Sequence, residues 1–132
     1  MRERPTVALC FLCWNERPGC ERDVPPIDLS AFDEVFAIDG RSSDGTAEYL
    51  QSLGVRTYAQ NVPGLNSAYW QAVELTRCDC IVVFFPKGTL PVEILYEFRA
   101  HFSEGKELVI ASRMAPGGSW PNALAMRFRR VR

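Results

Sequence analysis

The chain has 132 residues, of which 47% are hydrophobic and 23% charged, with a formal net charge of −1. This is the composition of one folded domain. It excludes a disordered chain and argues against a general nucleic-acid binder.

Thr6 to Cys13 is a continuous apolar run, the pattern of a strand buried on both faces of a parallel sheet. Trp14-Asn15-Glu16 follows at its carboxyl end. Pro18, Gly19, Pro25 and Pro26 punctuate residues 17–28, which predicts a loop with at most a short helix. Glu34 to Ile38 reads as the second strand. Ser43 or Asp44 then caps a helix running to about Leu53, with Ala47, Leu50 and Leu53 inward and Gly54 at its C-terminal end. Val55 to Tyr58 is a short third strand. Leu65, Ala68, Tyr69, Ala72 and Val73 recur at helical spacing and predict an amphipathic helix.

Cys80 to Phe85 is a fourth apolar strand. Pro91 suits the first turn of a helix whose inner face is Ile94, Leu95, Phe98 and Phe102. Leu108 to Ala111 is a fifth strand. Strand and helix alternate, so the expected class is α/β: a mostly parallel sheet of about five strands with helices on both faces.

The five cysteines, an odd count, fit free thiols in a reducing compartment. Cys10 and Cys13 have CxxC spacing, and Cys78 and Cys80 form CxC. Four thiolates are a zinc-ligand set, but both pairs lie in or beside apolar strand patterns, where cysteine acts as a small hydrophobe. No apolar run approaches the ~20 residues of a membrane span. The segment Met1-Arg2-Glu3-Arg4-Pro5 leads into no signal-peptide pattern, so a cytoplasmic location is expected. Arg127, Arg129, Arg130 and Arg132 crowd the last six residues and leave a body of 11 basic and 16 acidic residues. Residues 119–132 thus read as a basic tail after a domain over residues 1–118. The tail is either solvated or a peripheral contact for anionic lipid at the inner membrane face.

Ile38-Asp39-Gly40-Arg41-Ser42-Ser43-Asp44-Gly45-Thr46 carries the chemistry. It puts a carboxylate at a strand end, before a glycine turn and a capped helix. Open α/β sheets bind ligands at that place, outside the carboxyl ends of their strands. Asp39 is therefore the leading candidate, against a plain reading as an Asx-turn carboxylate.

The segment resembles the Asp-Asp/Gly-x-Ser-x-Asp-Gly-Thr signature of family 2 glycosyltransferases, which include the polyprenyl-phosphate and dolichyl-phosphate sugar transferases. Three more pieces match in order. Val7 to Glu16 resembles the opening strand with its Asn-Glu end, and Gly64-Leu65-Asn66-Ser67-Ala68 a small-residue helix start. Val109-Ile110-Ala111-Ser112-Arg113 with Gly117-Gly118 resembles a strand-Ser-Arg-x-x-Gly-Gly element. The resemblance implies a Rossmann-like GT-A nucleotide-sugar-binding domain. It implies that Trp14 and Glu16 flank the base or ribose of a nucleotide-sugar donor, that Asp39 accepts hydrogen bonds from the base, and that a lipid-phosphate or glycan is the acceptor. Asp44 reads as a helix cap. No catalytic residue is assigned.

The chain departs from the family in two places. An Asp-x-Asp motif normally ends the fourth strand and holds Mg²⁺ or Mn²⁺ on the diphosphate. Here Pro86-Lys87-Gly88 stands there, so a divalent cation is doubtful and no metal ligand is assigned. Lys87 either supplies part of the missing charge at the diphosphate or is an exposed turn residue. The sequence after Gly118 is also too short for the family's acceptor segments, and His101 does not fill that gap. The alternative function is a catalytically inactive nucleotide-sugar-binding module or a truncated glycosyltransferase fragment. A P-loop and a dinucleotide-binding Gly-x-Gly-x-x-Gly are both missing.

Overall fold

A computed structural model describes residues 4–109. Four strands, β1 (Val7–Cys13), β2 (Glu34–Asp39), β3 (Arg56–Ala59) and β4 (Cys80–Phe84), form one sheet in the order β3-β2-β1-β4. All three pairings are parallel, with Cys13 opposite Asp39 and Phe11 opposite Phe84. Helices α1 (Arg17–Asp23), α2 (Thr46–Ser52), α3 (Leu65–Leu75) and α4 (Ile94–Ser103) make the connections, with a 3₁₀ turn at Leu29–Ala31.

β1 lies at the centre, and all seven of its residues are buried, as its unbroken apolar run requires. Side chains alternate along a strand, so β1 feeds two cores. Val7, Leu9, Phe11 and Cys13 pack with Cys20 of α1 and Val24 just after it, Leu50 of α2, and Leu95 and Phe102 of α4. Ala8, Cys10 and Leu12 pack with Phe36 and Ile38 of β2 and with Ala68 and Ala72 of α3. Helices therefore cover both faces, as expected for this α/β class.

Several local expectations are refined. Residues 17–23 form a true helix, since Pro18 sits in its first turn, where no N–H is needed. β3 is one residue later than predicted. Gly45, with φ of 86°, immediately precedes α2, and Asp44 acts one residue earlier by accepting the Thr46 N–H. α3 buries Ala68, Gln71 and Ala72 but leaves Leu65, Tyr69 and Val73 at 56%, 38% and 53% exposure. Ala68 and Ala72 pack on the sheet and Gln71 donates to the Ala59 carbonyl of β3, so the predicted apolar stripe is wider than the face the four strands cover. Pro91 falls in the turn before α4 rather than in its first turn. The predicted fifth strand, the Gly117-Gly118 element and the 119–132 tail lie wholly or partly outside the described residues. Among the described residues, no helix is long and apolar enough to cross a membrane.

Cys10 and Cys13 point into opposite cores, so the CxxC spacing does not make a thiol pair. Cys13 instead lies 4.0 Å, sulfur to sulfur, from Cys20. Burial, reinforced by Glu34, pushes the Cys10 thiol up from 9.0 to about 12. The Cys13 thiol is also raised, first by its contact with Cys20 and then by burial.

These shifts have a consequence at alkaline pH. The folded chain keeps thiol protons that the unfolded chain releases above about pH 9, so the stabilisation is full below that pH and fades toward pH 12. Urea midpoints measured under reducing conditions will fall between pH 8.5 and 11, and Cys10→Ala will flatten that fall. A wild-type midpoint constant over this range would contradict the assignment.

Candidate functional site

The site is built at the carboxyl ends of the strands. After β1 come Trp14, Asn15 and Glu16; after β2 come Gly40 and Arg41. Asn15 and Arg41 both have left-handed backbone, with φ of 49° and 65°. Non-glycine residues hold such angles only where the surroundings impose them.

Here a hydrogen-bonded clasp between the two loops imposes them. Gly40 N–H donates to the Cys13 carbonyl at 2.7 Å, extending the β1–β2 ladder by one step. Asn15 N–H donates to Ser42 Oγ at 2.8 Å, and Ser43 N–H donates back to Asn15 Oδ1 at 2.8 Å. Glu16 N–H reaches Thr46 Oγ1 at 3.0 Å, and Arg17 N–H reaches Asp44 Oδ2 at 3.1 Å. The other Asp44 oxygen accepts both the N–H and the hydroxyl of Thr46. These bonds, the Thr46 hydroxyl first, hold the Asp44 carboxyl below its ordinary range. Asp44 thus caps α2 and ties α1 to it.

Asp39 is 4% exposed. Its oxygens accept the Ser42 N–H at 2.8 Å and the Ser42 hydroxyl at 2.6 Å. Asp39 thus closes the turn after β2, as in the plainer of its two sequence readings, though onto the third residue rather than the second. Ser42 relays between Asn15 and Asp39, so the buried carboxylate holds both loops in place.

Lys87 is fixed from below. Pro86 is fully buried, and Gly88 N–H donates at 2.8 Å to Asp23, a carboxylate of α1 only 5% exposed. α1 approaches so closely that a Cβ on Gly19 would stand 1.9 Å from the Pro86 carbonyl oxygen. The turn therefore presents Lys87 upward, with its Nζ 3.7 Å from Glu16 Oε1. Both groups are partly exposed, so this pair contributes little to stability.

Above these ends opens a cavity of about 470 Å³, a volume ordinary for small-molecule sites. Leu12, Ile38, Ala68 and Phe85 give it apolar walls, while Trp14, Glu16, Arg41, Gln60, Gly64 and Lys87 supply the rest of its chemistry. Strand order reverses between β1 and β4, and the cavity spans that reversal, the usual ligand position in open α/β sheets. Two cations against one carboxylate favour an anionic ligand.

Three of the four predicted site residues, Trp14, Glu16 and Lys87, line this cavity. Asp39 does not, and its neighbours Gly40 and Arg41 do. Arg41 was visible in the motif, but its left-handed backbone was not. Asp23 was not singled out, and Asn15 and Gly19 were read only as a strand-end residue and a turn marker, because their roles depend on partners far away in sequence.

The residues at the end of β4 do not suit a hard divalent cation. Such ions need several oxygen ligands, and Pro86-Lys87-Gly88 offers an ammonium instead. Among the described residues, no three His, Cys, Asp or Glu side chains gather to hold a metal.

The fold has close counterparts among solved structures. Glucosyl-3-phosphoglycerate synthase from Mycobacterium tuberculosis in complex with uridine-diphosphate superposes with a TM-score of 0.57 at 20% identity, over 70% of this chain and 38% of that one. The same enzyme with phosphoglyceric acid gives 0.58 at 21% identity, with the same coverage. With Mn²⁺, uridine-diphosphate-glucose and phosphoglyceric acid it gives 0.53 at 22%, over 62% and 33%. The fold is that of a GT-A glycosyltransferase. The chain spans between 33% and 38% of the length of these enzyme chains. No protein-family profile and no curated protein sequence matches it.

Ser42→Ala will remove the relay between the loops. It removes the Asn15 N–H partner and one of the two Ser42 bonds to Asp39, a loss of about 0.5–1.5 kcal/mol. Urea denaturation measures it, and a change below about 0.5 kcal/mol, ordinary for a surface substitution, would show that the clasp does not hold the loops.

Proposed function

We propose that this chain is the donor-binding part of a GT-A glycosyltransferase that holds a nucleotide-sugar across the ends of β2, β1 and β4. The observation that carries this reading is the cavity at the strand reversal, with Trp14 on one side and a buttressed Lys87 on the other. Trp14 and Glu16 flank the nucleoside, and Lys87 lies at the diphosphate. Asp39 was expected to accept hydrogen bonds from the base. In this reading it is a positioning residue that shapes the turn carrying Gly40 and Arg41.

The reaction is sugar transfer. An acceptor oxygen attacks the anomeric carbon, the bond from that carbon to the diphosphate oxygen breaks, and the nucleoside diphosphate leaves. Negative charge grows on the leaving diphosphate as that bond breaks. An ammonium carried on a braced turn stabilises that charge as it develops. Lys87 thus supplies on this chain what a metal-bound carboxylate pair supplies elsewhere in the fold class. Uridine-diphosphate-glucose and Mn²⁺ occupy the crystals of the similar synthase, which supports a sugar-diphosphate donor. The acceptor is a lipid-phosphate or a glycan, and the four arginines among the last six residues supply positive charge for an anionic membrane.

Calorimetric titration with uridine-diphosphate-glucose in Mg²⁺ and in EDTA tests both parts. The chain will bind in either buffer with affinities within about tenfold, that is 1.4 kcal/mol. Lys87→Ala will weaken binding by about 1.5–3 kcal/mol, the range for hydrogen bonds to charged groups. Binding lost on chelation would contradict the role of Lys87, and a folded chain that binds no nucleotide-sugar would contradict the function.

A further inference from the structure

The turn that carries Lys87 leaves the outermost strand of the described sheet. Among the described residues β4 pairs with β1 alone. The turn closes on itself only where the Lys87 N–H donates to the Phe85 carbonyl at 2.9 Å. The rest of it is held from outside.

One face of α1 does the holding. Glu16, at the start of that helix, and Gly19 and Asp23 within it stand at i, i+3 and i+7, a spacing that puts them on one side. Each meets one residue of the turn. Glu16 Oε1 lies 3.7 Å from Lys87 Nζ. The bare backbone of Gly19 lies against the Pro86 carbonyl. Asp23 Oδ2 accepts the Gly88 N–H at 2.8 Å. Arg22 lies over the same glycine: its Cδ would stand 3.2 Å from a Cβ at Gly88, whose φ of 72° is left-handed.

Asp23 is the costly member of this face. It is 5% exposed and, among the described residues, forms no ion pair. Burying a carboxylate without a counter-ion is unfavourable. Its hydrogen bond goes to the turn and not to the core, where Cys20 makes the contact of α1. Asp23 does not line the cavity, whereas Lys87 does.

We propose that Asp23 is a positioning residue for the donor's diphosphate. It acts through Gly88 and fixes where the Lys87 ammonium stands over the cavity. Lysine meets a phosphate as a point charge on a flexible stem. The energy of such a contact depends on separation and on how little the charge must reorganise. A turn held by α1 supplies both. The inference rests on the reading of the cavity as a sugar-diphosphate site with Lys87 at the diphosphate, and it adds the group that aims Lys87.

The test is calorimetry on the whole 132-residue chain with UDP and inorganic pyrophosphate. The variants are Asp23→Ala, Asp23→Asn, Gly19→Ala, Lys87→Ala and the Asp23→Ala/Lys87→Ala double variant, each checked for folding by circular dichroism. Asp23→Ala and Gly19→Ala will each weaken both ligands by about tenfold, within the range of coupled neighbours. Asparagine keeps an acceptor oxygen for the Gly88 N–H, so Asp23→Asn will stay within about threefold of wild type, less than the tenfold of a lost 1.4 kcal/mol. In the Lys87→Ala background, Asp23→Ala will change affinity by less than about twofold, the scatter of additive cycles. A purely structural role would not vanish with Lys87. Should Asp23→Ala fail to fold, Gly19→Ala displaces the same turn and will show the same dependence on Lys87.

Wild-type affinity in a folded Asp23→Ala chain would overturn the proposal and leave the diphosphate site standing. An equal loss with and without Lys87, or a loss in Asp23→Asn as large as in Asp23→Ala, would do the same. A folded wild-type chain that binds neither UDP nor pyrophosphate would overturn the reading of the site, and the role of Asp23 with it.

Discussion

The clasp between the loops after β1 and β2 is the constraint on which the rest of the site depends. Parallel strands present their carboxyl ends together, but nothing in the sheet fixes the loops beyond those ends. Here the Asn15, Glu16 and Arg17 N–H groups are taken up by Ser42, Thr46 and Asp44 side chains. Each bond satisfies a loop donor with a short polar side chain of the neighbouring loop, so neither loop moves alone. Buried Asp39 anchors the network through Ser42. Left-handed backbone at Asn15 and Arg41 is the local strain that the clasp imposes and the network sustains.

A second brace acts on the other side of the reversal in strand order. α1 carries Gly19 and Asp23 on the face turned to the end of β4. The missing side chain at Gly19 admits the Pro86 carbonyl, and Asp23 holds the Gly88 N–H. Because α1 is tied to α2 through Asp44, the turn bearing Lys87 and the turn bearing Arg41 share one support. The cleft is thus set by two rigid turns with a cation on each and the Trp14 indole between them. This division of labour suits a ligand with a planar end and a diphosphate end.

The parts of this architecture that arise from one stretch of sequence were legible. The unbroken apolar runs located β1, β2 and β4, and strand–helix alternation gave the parallel sheet. Trp14, Glu16 and Lys87 stood out because the resemblance to family 2 glycosyltransferases puts functional positions at the ends of such runs. α1 was read as mostly loop because proline and glycine mark turns locally. Pro18 instead fits a helix start, and Gly19 answers to Pro86, which comes much later in the chain. The same limit explains Asp39 and Arg41. That a strand-end carboxylate also accepts two hydrogen bonds from Ser42 depends on the turn geometry, and no spacing rule shows that the next arginine lines the cleft. For α3, apolar periodicity identified the helix but not which part of the stripe meets the sheet, since Trp70 at 68% exposure and Val73 at 53% remain in solvent.

The central claim is that a nucleoside diphosphate lies across the carboxyl ends of these strands. Backbone amide NMR during titration with UDP addresses it most directly, since it reports where a ligand sits regardless of turnover. The account predicts shifts concentrated at residues 14–16, 40–43, 60–65 and 85–88, with α4 and the amino ends of the strands unmoved. Saturable shifts centred on α4 or on the outer face of α3, with the strand ends silent, would contradict it.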